Sequence, residues 1–511
     1  MTTEPEGGDI AALAKGGRTN FFGFLLRLAA RLPFLFIAGR LYGAEALGRF
    51  ASALVIVELT AMLCTMGEKR GLAQRLSDDE ETRPANLVFD GLTVAAIAGA
   101  AASAFLWLVP HPMFPSGVYT DVDRLIVLAI PALALTEIAL AAQAYRYDIA
   151  TTVRARAIVE PWTISIMAGA MYFVLPESGL TVAYIVSIYA AAATAFWPFR
   201  RDYGRPRAWR PDWTRMKRLT VRGAPLATAD AIEWGTRRLD IFLLGLLASP
   251  VAVGIYYVAQ QVASLPQKLK TSFEPILGPV ITRNLKEKNY AAIAKQVRQV
   301  GFWIIAAQAG IALALGLPGE AVMGLVGPNF VSGNGALAFL LAAEVVAATA
   351  VVSEAALIYV ARIRNLWVSI GTIVLQGLLT VAFIAVLRER GYPELVQAAG
   401  AAIALMLALG AASLVKAVML SRILGHSVNN WRWALVLAVA PAVVVGFFVT
   451  MLPEWAELAF GIPAILLTYG WVIWRRGFGE EDRVLFRRNL EGKDADGKAR
   501  PTGPPPMGPL P

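Results

Sequence analysis

Five ionisable residues, Asp230, Glu233, Arg237, Arg238 and Asp240, fall within one apolar stretch of the chain. A second apolar stretch holds Arg27 and Arg31, four residues apart and therefore on one face of a helix. Glu58, Glu137, Glu344 and Glu354 sit alone in further apolar stretches. A charge at the centre of a bilayer costs about 2.5 kcal/mol or more unless it meets a polar cavity or a partner. Guanidinium groups are planar and forked, so Arg27, Arg31, Arg237 and Arg238 are candidates for bidentate binding of phosphate in a substrate cavity. Asp230, Glu233, Asp240 and Glu58 are candidates for coupling a proton or sodium ion, because burial and neighbouring charge set the proton affinity of a carboxyl group. The structural alternative is that Arg27 and Arg31 snorkel, or pair with Glu58 or Glu233 to lock helices together.

Other chemistries find little support. The single cysteine, Cys64, excludes an intrachain disulfide, and His111 and His426 lie far apart, so no metal site, cofactor or catalytic group is expected. No G-x-x-x-x-G-K-[ST] loop for nucleotide binding is present. The formal net charge of +10 does not imply nucleic-acid binding, because the basic residues lie in short loops between apolar stretches.

The elements that carry these residues are membrane spans. Of 511 residues, 57% are hydrophobic and 16% charged, with a mean hydropathy of +0.56. Stretches of about twenty apolar residues, enough to cross a hydrocarbon core of about 30 Å, recur along the chain. Hydropathy predicts an all-α polytopic membrane protein with fourteen spans: 20–41, 47–67, 86–109, 123–145, 158–175, 180–199, 223–247, 251–272, 296–318, 335–360, 365–388, 396–418, 431–452 and 457–474.

Lysine and arginine concentrate in alternate loops, most densely in 200–222, while the loops 110–122, 176–179, 319–334 and 453–456 contain none. The exceptions are Arg388 and Arg390 in one outer turn and Arg49 and Arg124 at outer span ends. The positive-inside rule then places both termini in the cytoplasm. Residues 1–19 carry five charges within the first eighteen and no apolar core, so no cleavable signal peptide is expected, and the proline-rich end of the 475–511 tail is predicted to be disordered.

An internal repeat organises the spans. ALGRFASALVIVEL from Ala46 aligns without gaps to AVGIYYVAQQVASL from Ala252, matching Gly48 with Gly254, Phe50 with Tyr256 and Ala53 with Ala259. The offset of 206 residues, six spans on the map, is even, so the copies keep one orientation and are expected to be related by a pseudo-twofold axis along the membrane normal. This predicts an N-lobe (20–199), a basic linker (200–222), a C-lobe (223–418) and a final helix pair (431–474), with the substrate path between the lobes. Under the same offset, Arg31 falls on Arg237 and Arg27 on Glu233.

At this level the chain resembles the polysaccharide-export flippases of the multidrug, oligosaccharidyl-lipid and polysaccharide (MOP) superfamily. The resemblance rests on LDIFLLGLLASPVAVGIYYVAQQVASLPQ from Leu239, where an acidic residue, a glycine and V-G-x-Y-x-x-A are Asp240, Gly245, Val253, Gly254, Tyr256 and Ala259. LYGAEALGRFASA from Leu41 resembles the first-lobe counterpart, and LVGPNFVSGNGALAFLLAAE from Leu325 the entry to the tenth span. The resemblance implies a Wzx-like flippase with a V-shaped cavity of alternating access in the bacterial inner membrane. Its substrate would be an undecaprenyl-pyrophosphate-linked repeat unit for O-antigen, capsule or exopolysaccharide, with a polymerase and export machinery as partners. It also implies that Arg27, Arg31 and Arg237 carry cavity charge. The alternatives are a lipid II flippase, a cation-coupled multidrug exporter, and a membrane polymerase or ligase.

Overall fold

A computed structural model describes residues 32–78, 83–206, 209–479 and 482, with the side chains of 267–280 not described. Arg27, Arg31, Arg207 and the tail beyond 482 therefore lie outside the described residues. Among the described residues every regular element is helical, the outcome required where lipid offers the backbone no hydrogen bonds.

In chain order the helices are α1 (32–42), α2 (Gly43–Cys64), α3 (Glu68–Asp78), α4 (Pro84–Leu108), α5 (Asp123–Tyr145), α6 (149–172) and α7 (Gly179–Tyr203). Then come α8 (Trp213–Leu247), α9 (Pro250–Lys286), α10 (Tyr290–Gly316), α11 (Gly319–Val326), α12 (Asn334–Ala348) and α13 (Val351–Val360). The remaining described helices are α14 (Arg362–Glu389), α15 (Glu394–Leu424), α16 (Trp433–Val449) and α17 (Glu454–Gly477). Nine helical runs among the described residues are long and apolar enough to cross a membrane. The chain is an all-helical, multi-pass membrane protein.

Several helices outrun the spans that hydropathy defines, because polar caps start them in loop-like sequence. Asp212 accepts the backbone N–H groups of Thr214 (2.9 Å) and Arg215 (3.3 Å), so α8 begins ten residues before the expected 223. Asp148 caps α6 through Thr151 N (3.1 Å), which draws Arg154 and Arg156 out of the expected loop and into a helix. Asn289 does the same for α10. The expected span 335–360 is broken: α12 ends at Ala348, α13 begins at Val351, and the Thr349 hydroxyl donates back to Val346 O at 2.8 Å. Local side-chain capping of this kind competes with helix continuation.

The repeat has a direct spatial counterpart. α2 packs along α9, and the two aligned glycines form the contact. A Cβ on Gly48 would stand 1.7 Å from Pro250 O and 2.9 Å from Gly254 N; one on Gly254 would stand 2.0 Å from Ala44 O and 2.9 Å from Gly48 N. Positions 250 and 254 are 44 and 48 displaced by the repeat offset, so the contact maps onto itself when the copies are exchanged. Small residues let two backbones approach this closely, which is how helices associate where water gives no hydrophobic drive between them.

The final pair, α16 and α17, packs on α10. Asp482 ties it there, accepting from Trp303 Nε1 (2.9 Å) and Arg432 Nη1 (2.6 Å), while the Arg432 guanidinium lies 4.0 Å above the Phe302 ring.

Basic residues at the end of the bundle opposite the basic loops are held by partners. Arg49 is buried between Asp123 (3.1 Å), Glu45 (3.0 Å) and Glu177 O (2.9 Å). Arg124 lies 4.7 Å above Trp107, and Arg388 donates to Leu247 O.

Candidate functional site

The charged residues of α8 face α2 and α3 across the boundary between the repeat halves. α8 runs antiparallel to the α2–α3 arm, so contacts step down one helix as they step up the other. Near the basic end Gly223 and Gly67 abut, and Arg222 pairs with Asp78 at 2.8 Å. Further along α8, Arg70 reaches both Asp230 (2.6 Å) and Glu233 (2.5 Å), and further still Arg238 approaches Glu58 at 3.9 Å. From Arg222 to Asp240 this seam extends about 27 Å at 1.5 Å per residue.

The ion pairs along it are of two kinds. The first is short and closed. Glu137 is not solitary: it accepts from Arg156 (2.5 Å) and Lys69 (3.0 Å), and Arg156 also holds Glu160 at 2.7 Å. Arg70 is committed to two carboxylates in the same way. Partly buried charges paired on this scale hold helices in register, because a shift of one helix against the next separates several pairs at once. Glu354 likewise pairs with Lys416 of α15 at 3.1 Å.

The second kind is loose. Arg237 is 39% exposed and meets Glu233 only at 3.7 Å. Arg238 donates one hydrogen bond, to Gln260 Oε1 at 3.1 Å, beside its long approach to Glu58. A guanidinium carries five N–H donors, so both arginines keep donors uncommitted by protein among the described residues.

The proposed ion-coupling carboxylates divide as well. Asp240 is fully buried and held by Tyr256 Oη (2.7 Å), Gln260 Nε2 (2.9 and 3.0 Å) and Ile241 N (2.9 Å). The acidic residue and the tyrosine of the recognised motif thus bind each other, joining α8 to α9. Asp230 is 3% exposed, with one oxygen on Arg70 and Oδ2 unpartnered among the described residues. Glu233 is 54% exposed, and Glu58 faces Arg238. Arg27 and Arg31 lie outside the described residues. Among the described residues no cluster of histidine, cysteine or carboxylate side chains is arranged to hold a metal ion.

Lys69, Arg70, Arg156 and Glu160, none of them among the expected site residues, also belong to this site. The i, i+4 spacing of Arg156 and Glu160 and the Asp148 cap were the available signals.

Known proteins share this architecture. The polysaccharide biosynthesis protein family matches residues 37–314. A comparison with curated protein sequences gives no match. Among solved structures, the lipid II flippase MurJ in an inward closed conformation is similar with a TM-score of 0.67 at 10% identity, covering 90% of this chain and 98% of that one. A multidrug resistance MATE family transporter of the MOP superfamily, inward-facing, gives 0.62 at 13% identity over 79% and 98%. The Vibrio cholerae MATE transporter VcmN gives 0.55 at 12% identity over 82% and 98%. The family match spans more than half the chain, so this multi-pass protein, with its all-helical MOP-type fold, belongs to the polysaccharide biosynthesis protein family.

Proposed function

We propose that the protein is a flippase. It moves an undecaprenyl-pyrophosphate-linked oligosaccharide from the cytoplasmic to the periplasmic leaflet of a bacterial inner membrane, with both termini cytoplasmic, by alternating access between its lobes. The product feeds O-antigen, capsule or exopolysaccharide assembly, where a polymerase and export machinery act next. Membership of the polysaccharide biosynthesis family supports the substrate class. The observation that carries the reading is the pair of loosely held guanidinium groups, Arg237 and Arg238, on the helix that lines the seam between the lobes.

In this reading Arg237 and Arg238, with Arg27 and Arg31 of the first span, bind the pyrophosphate. Glu58, Asp230 and Glu233 exchange a coupling ion or the freed arginines as the lobes turn. Asp240 keeps α8 and α9 together. Charge-assisted hydrogen bonds contribute about 1.5–3 kcal/mol each, so Arg237→Ala should reduce transport about ten- to one-hundredfold. Arg237→Lys should restore it only in part, since lysine offers no fork.

The test is the leaflet distribution of lipid-linked saccharide in cells carrying Arg237→Ala or Arg238→Ala at normal protein levels. Accumulation on the cytoplasmic side is expected. Wild-type distribution in the double variant would remove the assignment of these arginines, and wild-type distribution in a strain lacking the protein would remove the flippase reading.

A further inference from the structure

A cavity of about 550 Å³ lies outside the seam, at the basic end of the bundle. One wall is the last third of α15, from Gly410 to Arg422; the other is the extended connection Ser427 to Trp431; Thr349, at the break between α12 and α13, forms its floor. Its volume lies within the range of small-molecule sites, about 300–1,000 Å³.

The lining changes character along the wall. At the mouth stand the exposed Arg422, the hydroxyls of Ser421 and Ser427, the Asn429 side chain and the indole of Trp431, 48% exposed. Toward the membrane interior the wall becomes Val418 and Leu414, 42% and 68% exposed, above the notch left by Gly410. From Arg422 to Gly410 this gradient covers about 18 Å of helix, about half the hydrocarbon thickness. A polar mouth with one cation and an apolar trough of half-bilayer length is complementary to a lipid, headgroup and one chain together.

Charge selects the headgroup. The neighbouring cations are neutralised, Lys416 by Glu354 at 3.1 Å and Arg432 by Asp482 at 2.6 Å, whereas no carboxylate among the described residues pairs with Arg422. The mouth thus offers one positive charge with hydroxyl and amide groups around it, which suits a single phosphodiester. Tryptophan at this depth belongs to the aromatic belt, and basic pockets between spans recognise anionic lipid headgroups.

The geometry points to a site for one anionic glycerophospholipid of the surrounding bilayer, its phosphodiester at Arg422 and one acyl chain along Leu414 and Val418. The site adjoins the broken helix. Asn430, 6% exposed, donates to Thr349 O at 2.9 Å and so satisfies a carbonyl that the break leaves free; Gly301 makes room for the Asn430 side chain. A lipid seated between the two walls therefore braces the connection that holds the bend of α12 and α13.

The test is native mass spectrometry of the delipidated full chain titrated with phosphatidylglycerol or phosphatidylcholine. One phosphatidylglycerol should be retained about fivefold more strongly than phosphatidylcholine. Arg422→Gln should abolish the preference, and Leu414→Trp, which fills the trough from an exposed position, should weaken both lipids. Unfolding midpoints of the two variants are compared with wild type, and a variant that fails to fold is replaced by Ser427→Leu at the exposed mouth. Equal retention of the two lipids, or an unchanged preference in Arg422→Gln, would overturn the site. Displacement of phosphatidylglycerol by undecaprenyl phosphate at equal concentration would reassign the groove to a lipid-linked substrate.

Discussion

Replacing Gly48 or Gly254 by alanine tests the repeat at the atoms that embody it. The added methyl would meet Pro250 O at 1.7 Å in the first case and Ala44 O at 2.0 Å in the second. A carbon and a carbonyl oxygen rest in contact at about 3.3–3.6 Å, so α2 and α9 must part by more than about 1 Å in either variant. The obstructing atoms are backbone and no rotamer change relieves them, which places the cost near the upper end of the overpacking range, about 3 kcal/mol. That is a factor of about one hundred in the folded-to-unfolded ratio.

Because the contact maps onto itself under exchange of the repeats, the two single variants should lose similar stability. The double variant should lose little more than either alone, since the first methyl already opens the gap the second needs; the coupling should be about 2 kcal/mol. Denaturant titration of the purified protein in micelles, followed by circular dichroism, measures all three. Gly48→Ala at wild-type stability, or two single costs that simply add, would refute the shared close contact.

Other perturbations separate closed pairs from loose ones. Glu137→Gln should destabilise by about 1–3 kcal/mol in the same titration, because Arg156 keeps Glu160 while Lys69 loses its carboxylate. Tyr256→Phe removes one of the donors to buried Asp240 and should cost about 1–3 kcal/mol; on the proposed function, the composition of the exported polymer should stay the same. Asn430→Ala should lower the unfolding midpoint and raise hydrogen exchange around residues 346–351 by releasing Thr349 O, whereas Asn429→Ala, whose side chain receives only Trp431 N, should change exchange there little.

The helical class was legible because it depends on runs of about twenty apolar residues, a property any window detects. The glycine match was legible as well, and Gly48 and Gly254 meet in space. Side-chain partnerships were not. Glu137 reads as solitary in sequence because its partners, Lys69 and Arg156, lie 68 and 19 residues away, and hydropathy assigns both to loops. The polar first turns of α6 and α8 escape a hydropathy window for the same reason: they are helical through their caps, Asp148 and Asp212, and hydrophobicity has no part in starting them. The break at Thr349 leaves no mark in composition, since it lies between Val346 and Val351 in uniformly apolar sequence.

The tie at Asp482 bears on the motion proposed for the two lobes. Trp303, Arg432 and Asp482 fasten α16 and α17 to α10 of the second half, so those helices travel with that half as one body. The two bodies then have unequal footprints in the bilayer, six helices against eight on the expected map. On the proposed alternating access, the larger body experiences more drag in a viscous membrane, so the smaller, N-terminal one sweeps through the greater share of the angle.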